Sequence, residues 1–241
     1  MAPYSARAMS ARSTLALTLA AALLLAACGG DAAPATTVAP GSVTSPEYLA
    51  FREQPTACGA EAPTAATALS FSAPGDAAVS GPVEVLLHTS CGAVRLRLDA
   101  TAAPETVNSF VFLAQQGYFD GTVSHRVVPG FVFQAGDPTA SGGGSPGYTI
   151  PDELPPADFA YTRGVVAMAN TGARDSGGSQ FFIVLADITL SPNYTVFGEV
   201  IEGLDVLDLI ADLPLGPNPP DAQDSRPLET VYLERVEVVG G

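Results

Sequence analysis

Between Tyr118 and Asp137 the chain reads Tyr-Phe-Asp-Gly-Thr-Val-Ser-His-Arg-Val-Val-Pro-Gly-Phe-Val-Phe-Gln-Ala-Gly-Asp. One guanidinium, Arg126, is planted between apolar runs, with Phe131, Phe133 and a lone amide, Gln134, close behind it. A cation among hydrophobic residues is costly unless it has a partner or a task. The bland alternative is an edge-strand arginine whose head snorkels to water. The chemistry open to such a group is electrostatic: arginine is charged at any working pH and carries several donors. It can therefore stabilise an electron pair that develops beside an apolar surface, with no bond made to the protein. Other chemistries find little support. The two histidines, His88 and His125, have no Cys, Asp or Glu at ligand spacing, so no metal is expected. Neither lies beside a Gly-x-Ser-x-Gly elbow, and there is no Cys-x-x-Cys. Gly142, Gly144 and Gly147 satisfy G-x-G-x-x-G, but Pro146 interrupts and Tyr148-Thr149-Ile150-Pro151 follows where a helix is needed. No cofactor is expected. Alternation along a strand turns His125 away from the face of Arg126, which makes it structural.

A second stretch, Val165 to Phe182, again sets amides and glycines between apolar strands. His125-Arg126-Val127-Val128-Pro129-Gly130-Phe131-Val132-Phe133-Gln134, Met168-Ala169-Asn170, Gly178-Ser179-Gln180-Phe181-Phe182 and Val196-Phe197-Gly198 come in that order. Together they closely resemble the cyclophilin family of peptidyl-prolyl isomerases, over roughly Pro82 to Val239. The resemblance implies that Arg126 donates to the prolyl nitrogen, and that Phe131, Val132, Phe182 and Leu190 receive the proline ring. It implies that Gln134 bonds the substrate and holds Arg126, and that Gln180 supports the floor. Ala169 and Asn170 would line the bound peptide, and Tyr194 stands where many members have histidine. Each apolar residue also has a plain reading as barrel core. Two positions depart from the family: Ser124 replaces a common phenylalanine, and Thr189 aligns with the eukaryotic rim tryptophan. The chain has no tryptophan, so cyclosporin binding does not carry over.

The elements that must position these residues are short. Val83 to Thr89 is an apolar run, and Gly92 to Leu98 alternates Val94, Leu96 and Leu98 against Arg95 and Arg97. With Ser90-Cys91-Gly92 as the turn, this reads as a hairpin. From Pro104 to Gln116 the period changes, with Val107, Phe110, Val111 and Ala114 at helical spacing and Gly117 as the stop. Strands follow at about Ser124 to Val128, Phe131 to Gln134, Val165 to Ala169, Phe181 to Leu185 and Val196 to Val200. Leu204, Leu207 and Ile210 suggest a second helix, and Thr230 to Val239 a closing strand. Many short strands with two helices point to a mainly β barrel or sandwich. The resemblance selects a closed eight-stranded antiparallel barrel capped by two α-helices.

Composition bounds the partners. The 241 residues are 47 % hydrophobic, with 25 acidic side chains against ten basic ones, all arginine. Such an acidic surface disfavours nucleic acid and anionic lipid. Arg7 and Arg12 precede a short apolar run, Ser13 to Ala27, the layout of an export signal. Leu25-Ala26-Ala27-Cys28 resembles the lipobox of bacterial lipoproteins, making Cys28 the lipidated residue. Residues 1–27 are then the signal peptide and 28–75 a lipid-anchored flexible linker with a segment that packs or not. Residues 76–241 form the isomerase domain. If Cys28 carries lipid, Cys58 and Cys91 are left as a disulfide candidate in an exported protein. The expected protein is a monomer outside the cytoplasm, held to the bacterial cell membrane by lipid alone. Its partners would be proline-containing segments of exported proteins. A binding module or holdase on the same barrel is the alternative; an adhesive structural protein would show repeats, and none is found.

Overall fold

The structure, a computed structural model, describes residues 41–221 and 223–240; the expected export signal over residues 1–27 and the expected lipidation at Cys28 lie outside them. A short helix, α1 (Pro46–Arg52), comes first, then the hairpin β1 (Val83–Thr89) and β2 (Gly92–Leu98), and α2 (Pro104–Gln115). The strands β3 (Thr122–Val123), β4 (Arg126–Val128), β5 (Val132–Ala135), β6 (Val165–Met168), β7 (Phe181–Val184) and β8 (Val196–Glu202) follow. The chain ends with α3 (Leu204–Ala211), the small ladder of β9 (Leu215–Gly216) with β10 (Arg226–Pro227), and β11 (Tyr232–Gly240). One antiparallel nine-stranded sheet curls in the order β3-β11-β1-β2-β8-β6-β7-β5-β4.

The expectation of eight strands in a closed barrel with two helices is corrected here. Nine strands form an open ladder ending at β3 and β4, and three α-helices are present among the described residues. The reason lies at Ser124 and His125, which interrupt what reads as one strand. Ser124 N donates to Val231 O, whereas Val127 N donates to Ser225 O and so does not continue the pairing with β11. The first piece therefore pairs with β11 and the second with β5.

Hydrophobic periodicity explains where the core sits. Along β1 every second residue is buried, and β2 buries Val94, Leu96 and Leu98 while Arg95 and Arg97 face outward. Val107, Phe110, Val111 and Ala114 of α2 are all buried in the same cluster. Pro104 starts that helix, and the Glu153 carboxylate accepts the N–H groups of Glu105 and Thr106 at 2.9 Å each. These are two of the donors that a helix start leaves without partners.

The segment before β1 packs on the sheet. Tyr48 and Phe51 are buried, and Tyr48 Oη donates to Gly121 O at 2.8 Å while accepting from Ala66 N at 2.7 Å. Arg226 stacks over the Phe51 ring at 4.0 Å. Cys58 and Cys91 are disulfide-bonded, with Cα atoms 5.1 Å apart, which ties this segment to the β1–β2 turn.

Candidate active site

The β4–β5 hairpin builds the centre of the site. Its turn has proline at the second position and Gly130, at φ +70°, at the third, and Phe131 N donates to Val128 O. That is the type II pattern, which needs a residue able to take positive φ at the third position. The resulting register sets Arg126 opposite Gln134, and Gln134 in turn lies opposite Phe182 of β7. Directly opposed residues on antiparallel strands share a face, so the cation, the amide and the ring are brought together by pairing alone.

The guanidinium is held on two sides. Nε donates to Asp221 Oδ2 at 2.7 Å and Nη2 to Asp221 Oδ1 at 3.1 Å; Nη1 reaches Gln134 Oε1 at 3.4 Å. Its carbon lies 5.8 Å from the Phe131 ring centroid. The Arg126 side chain keeps 24 % of its surface exposed, so it is neither sealed in the core nor free in solvent. Hydrogen bonding from Arg126, with a further bond from Ser225, holds the Asp221 carboxyl below its ordinary range, against the opposing effect of burial.

From Gln134 the network runs on. Gln134 Nε2 donates to Gln180 Oε1 at 3.1 Å, and Gln180 Nε2 donates to the carbonyls of Gly142 and Gly144, at 3.0 Å each. A cavity of about 280 Å³ opens beside it, lined by Gln134, Gly143, Tyr148, Ala169, Asn170 and Gln180. The glycine-rich loop thus borders the groove.

The apolar residues form one cluster: Val132, Phe182, Phe131, Leu190 and Tyr194, joined by Phe159 and Tyr161. Val132 and Phe182 are buried, at 2 % and 5 %, and Phe131, Leu190 and Tyr194 are half-buried against them. Tyr194 meets Phe182 edge-on at 5.3 Å and is held by Tyr161 Oη, which donates to Tyr194 O at 3.0 Å. Ala169 N donates to Gln180 O. Asn170, expected to line the bound peptide, lies beside Ala169 on the wall of that cavity. Its amide is turned to its own surroundings, donating to Asn193 O at 2.9 Å and accepting from Gly172 N at 3.0 Å.

His125 points away from this face and is buried, with Nδ1 unpartnered. Burial lowers its pKa, an effect that nearby Asp137 and Asp221 oppose and Arg126 reinforces. A larger hollow of about 560 Å³ lies over Leu98, Phe159, Val165 and Val196 and takes in none of the sequence-predicted site residues. Its charged side chains are already engaged, Arg97 with Glu199, and Asp99 and Glu153 with backbone N–H groups. It offers little to direct a reaction.

Sequence reasoning missed Asp221, Ser225, Asp137 and the structural use of Ser124. Asp221 lies in a proline-rich loop without periodicity, 95 residues from Arg126, and no spacing rule could pair them. Ser124 Oγ donates to Gln134 O at 2.9 Å, so the small residue at that position bridges the strands that carry the site.

Comparisons with known proteins bear on the family and the fold. The family described as cyclophilin type peptidyl-prolyl cis-trans isomerase/CLD matches residues 84–238. A peptidyl-prolyl cis-trans isomerase of Arabidopsis thaliana is 36 % identical over 160 residues, 65 % of this chain and 96 % of that protein. A Mycobacterium tuberculosis protein named "Probable peptidyl-prolyl cis-trans isomerase B" is 43 % identical over 144 residues, 54 % of this chain and 46 % of its own length. Among solved structures, a cyclophilin type isomerase of Cryptosporidium parvum matches with a TM-score of 0.61 at 27 % identity, covering 66 % of this chain and 99 % of that one. The same isomerase has also been crystallised in the presence of the dipeptide Ala-Pro. The chain belongs to the cyclophilin family of peptidyl-prolyl cis-trans isomerases, and it is an isomerase by that membership.

Proposed function

We propose that this isomerase accelerates rotation of Xaa-Pro bonds in exported proteins by a non-covalent, electrostatic route centred on Arg126. The barrier to rotation is loss of amide resonance, about 20 kcal/mol. As the bond twists, the prolyl nitrogen becomes pyramidal and regains a lone pair. A fixed donor at that nitrogen stabilises the twisted state more than the planar one, and only such a difference lowers a barrier. A 10⁵-fold acceleration needs about 7 kcal/mol, within reach of a few well-placed contacts.

The observation that carries this reading is the placement of the Arg126 guanidinium. It is partly exposed, bonded to Gln134, and set beside Phe131, whose cluster includes Phe182, Leu190 and Tyr194. The proline ring would occupy that apolar cup, with the flanking peptide along Ala169 and Asn170. Buried hydroxyls and thiols are not needed, because no bond to the protein forms. The test is an isomerisation assay on a Xaa-Pro peptide, with wild type against Arg126→Ala. A large loss in the variant is expected. Equal rates would leave a peptide-binding module or holdase and remove the enzymatic mechanism.

Arg7 and Arg12 before the apolar run and the lipobox-like Leu25-Ala26-Ala27-Cys28 support an exported protein held to the bacterial cell membrane by lipid on Cys28, with proline-containing segments of exported proteins as substrates. Mass spectrometry of the mature chain tests this: a diacylglyceryl-modified N-terminal Cys28 is expected, and an unmodified chain retaining residues 1–27 would remove the anchor.

A further inference from the structure

Arginine presents five N–H donors in a rigid fork. In this site Asp221 takes two of them and Gln134 a third. Two hydrogens, one on each terminal nitrogen, are left for a substrate. The fork is planar, so a two-point bond to Asp221 sets its orientation as well as its position.

The loop that carries Asp221 is itself pinned to β4 on both sides of Arg126. Asn218 Nδ2 donates to His125 O at 3.3 Å, and Val127 N donates to Ser225 O at 2.8 Å. The loop closes on itself as well. Ser225 Oγ donates to Asp221 Oδ2, Asn218 Nδ2 donates to Ser225 Oγ at 3.1 Å, and Ser225 N donates to Gly216 O at 3.0 Å. The Asp221 side chain keeps only 19 % of its surface exposed, so this ion pair is largely withdrawn from water. A loosely held surface pair would contribute little. A two-point, half-buried pair in a braced loop restrains the arginine that its loop encloses.

We propose that Asp221 is a positioning residue of this isomerase, and that the β9–β10 loop is the brace that aims the Arg126 guanidinium at the substrate. The proposal rests on the reading of Arg126 as the donor to the prolyl nitrogen. Asp221 itself touches no reacting atom. Its carboxylate prevents the fork from swinging towards solvent and leaves the terminal nitrogens directed by the pair of partners at its other edges.

The experiment is a double-mutant cycle on the full mature chain, with turnover and peptide affinity measured separately by exchange NMR on a Xaa-Pro peptide. Asp221→Ala is expected to lower kcat by about tenfold to a hundredfold, the scale of a misplaced catalytic group, with KM changed far less. In an Arg126→Ala background the same substitution should change kcat by no more than about twofold, because two residues acting as a unit are not additive. Asp221→Asn, which keeps one acceptor for the fork, should recover part of the loss. Where Asp221→Ala fails to fold, Asn218→Ala loosens the loop while leaving both charged partners, and the same selective loss of kcat is expected. The proposal is overturned if Asp221→Ala turns over as fast as wild type or faster, the latter meaning that the carboxylate competes with substrate. It is also overturned if Asp221→Ala loses the same factor with Arg126 absent, which marks a purely structural effect. A wild-type rate equal to that of Arg126→Ala is a different result and refutes the catalytic reading of Arg126 instead.

Discussion

Replacing Asp137 by asparagine tests how far the site depends on its glycine-rich border. The Asp137 side chain is fully buried. Its Oδ1 accepts from Thr139 N and Thr139 Oγ1 at 2.7 Å each, and its Oδ2 from Gly142 N at 2.6 Å and Gly144 N at 3.1 Å. Asparagine has one acceptor oxygen, so whichever way its amide is turned, two of the four donors face an NH₂ group. An unsatisfied buried donor costs about 1–3 kcal/mol. Gly142 is exposed and can recruit water, while Gly144 is half-buried, so a loss near the lower end, about 2–3 kcal/mol in total, is expected. Gly142 and Gly144 also supply the carbonyls that hold Gln180, which holds Gln134. Slack in the loop should therefore raise KM for a proline peptide several-fold, with a smaller change in kcat. Urea unfolding followed by circular dichroism gives the first quantity, and exchange NMR the second. A stability loss below about 1 kcal/mol together with an unchanged KM would refute the reasoning, since the carboxylate would not then be what shapes the loop.

His125 predicts a pH dependence of stability. Its folded pKa is depressed by burial, so the unfolded chain binds the proton first. Stability is then full above the ordinary histidine pKa of about 6.5 and falls below it, at up to about 1.4 kcal/mol per pH unit. Denaturation midpoints at pH 7.5 and 5.5 should differ accordingly, and His125→Gln should flatten the slope; identical midpoints in wild type contradict this. Asp221 has the same sign at lower pH: its stabilisation is present above the ordinary carboxylate range and is lost as pH falls into stronger acid, outside that window. Removing the disulfide by Cys58→Ser with Cys91→Ser opens a link across 33 residues, worth about 3–4 kcal/mol by loop closure. Oxidised and serine forms unfolding at the same urea concentration would show that the segment before β1 is held by packing alone.

Much of the fold could be read from period and punctuation. Val107, Phe110, Val111 and Ala114 mark the buried face of α2 because side chains on one helical face recur at that spacing. Pro129 and Gly130 mark the turn that sets Arg126 against Gln134, so the centre of the site was legible within one hairpin. By contrast α1 is seven residues long and lies among prolines, too short for a period to stand out. The break at Ser124 and His125 was also hidden, since it depends on Val231 and Ser225 competing for the backbone groups of that strand.

What the sequence by itself determined is the set of local structures and the candidate groups they carry: a permanently charged donor, an amide and apolar side chains on short alternating strands. Only the tertiary structure decided which distant residues aim that donor. Asp221 is 95 residues from Arg126, and Gly142 and Gly144 reach it through Gln180 and Gln134. Periodicity reports burial, which is a property of one segment. The direction of a guanidinium depends on the partners that surround it, and those are brought together only when the sheet curls.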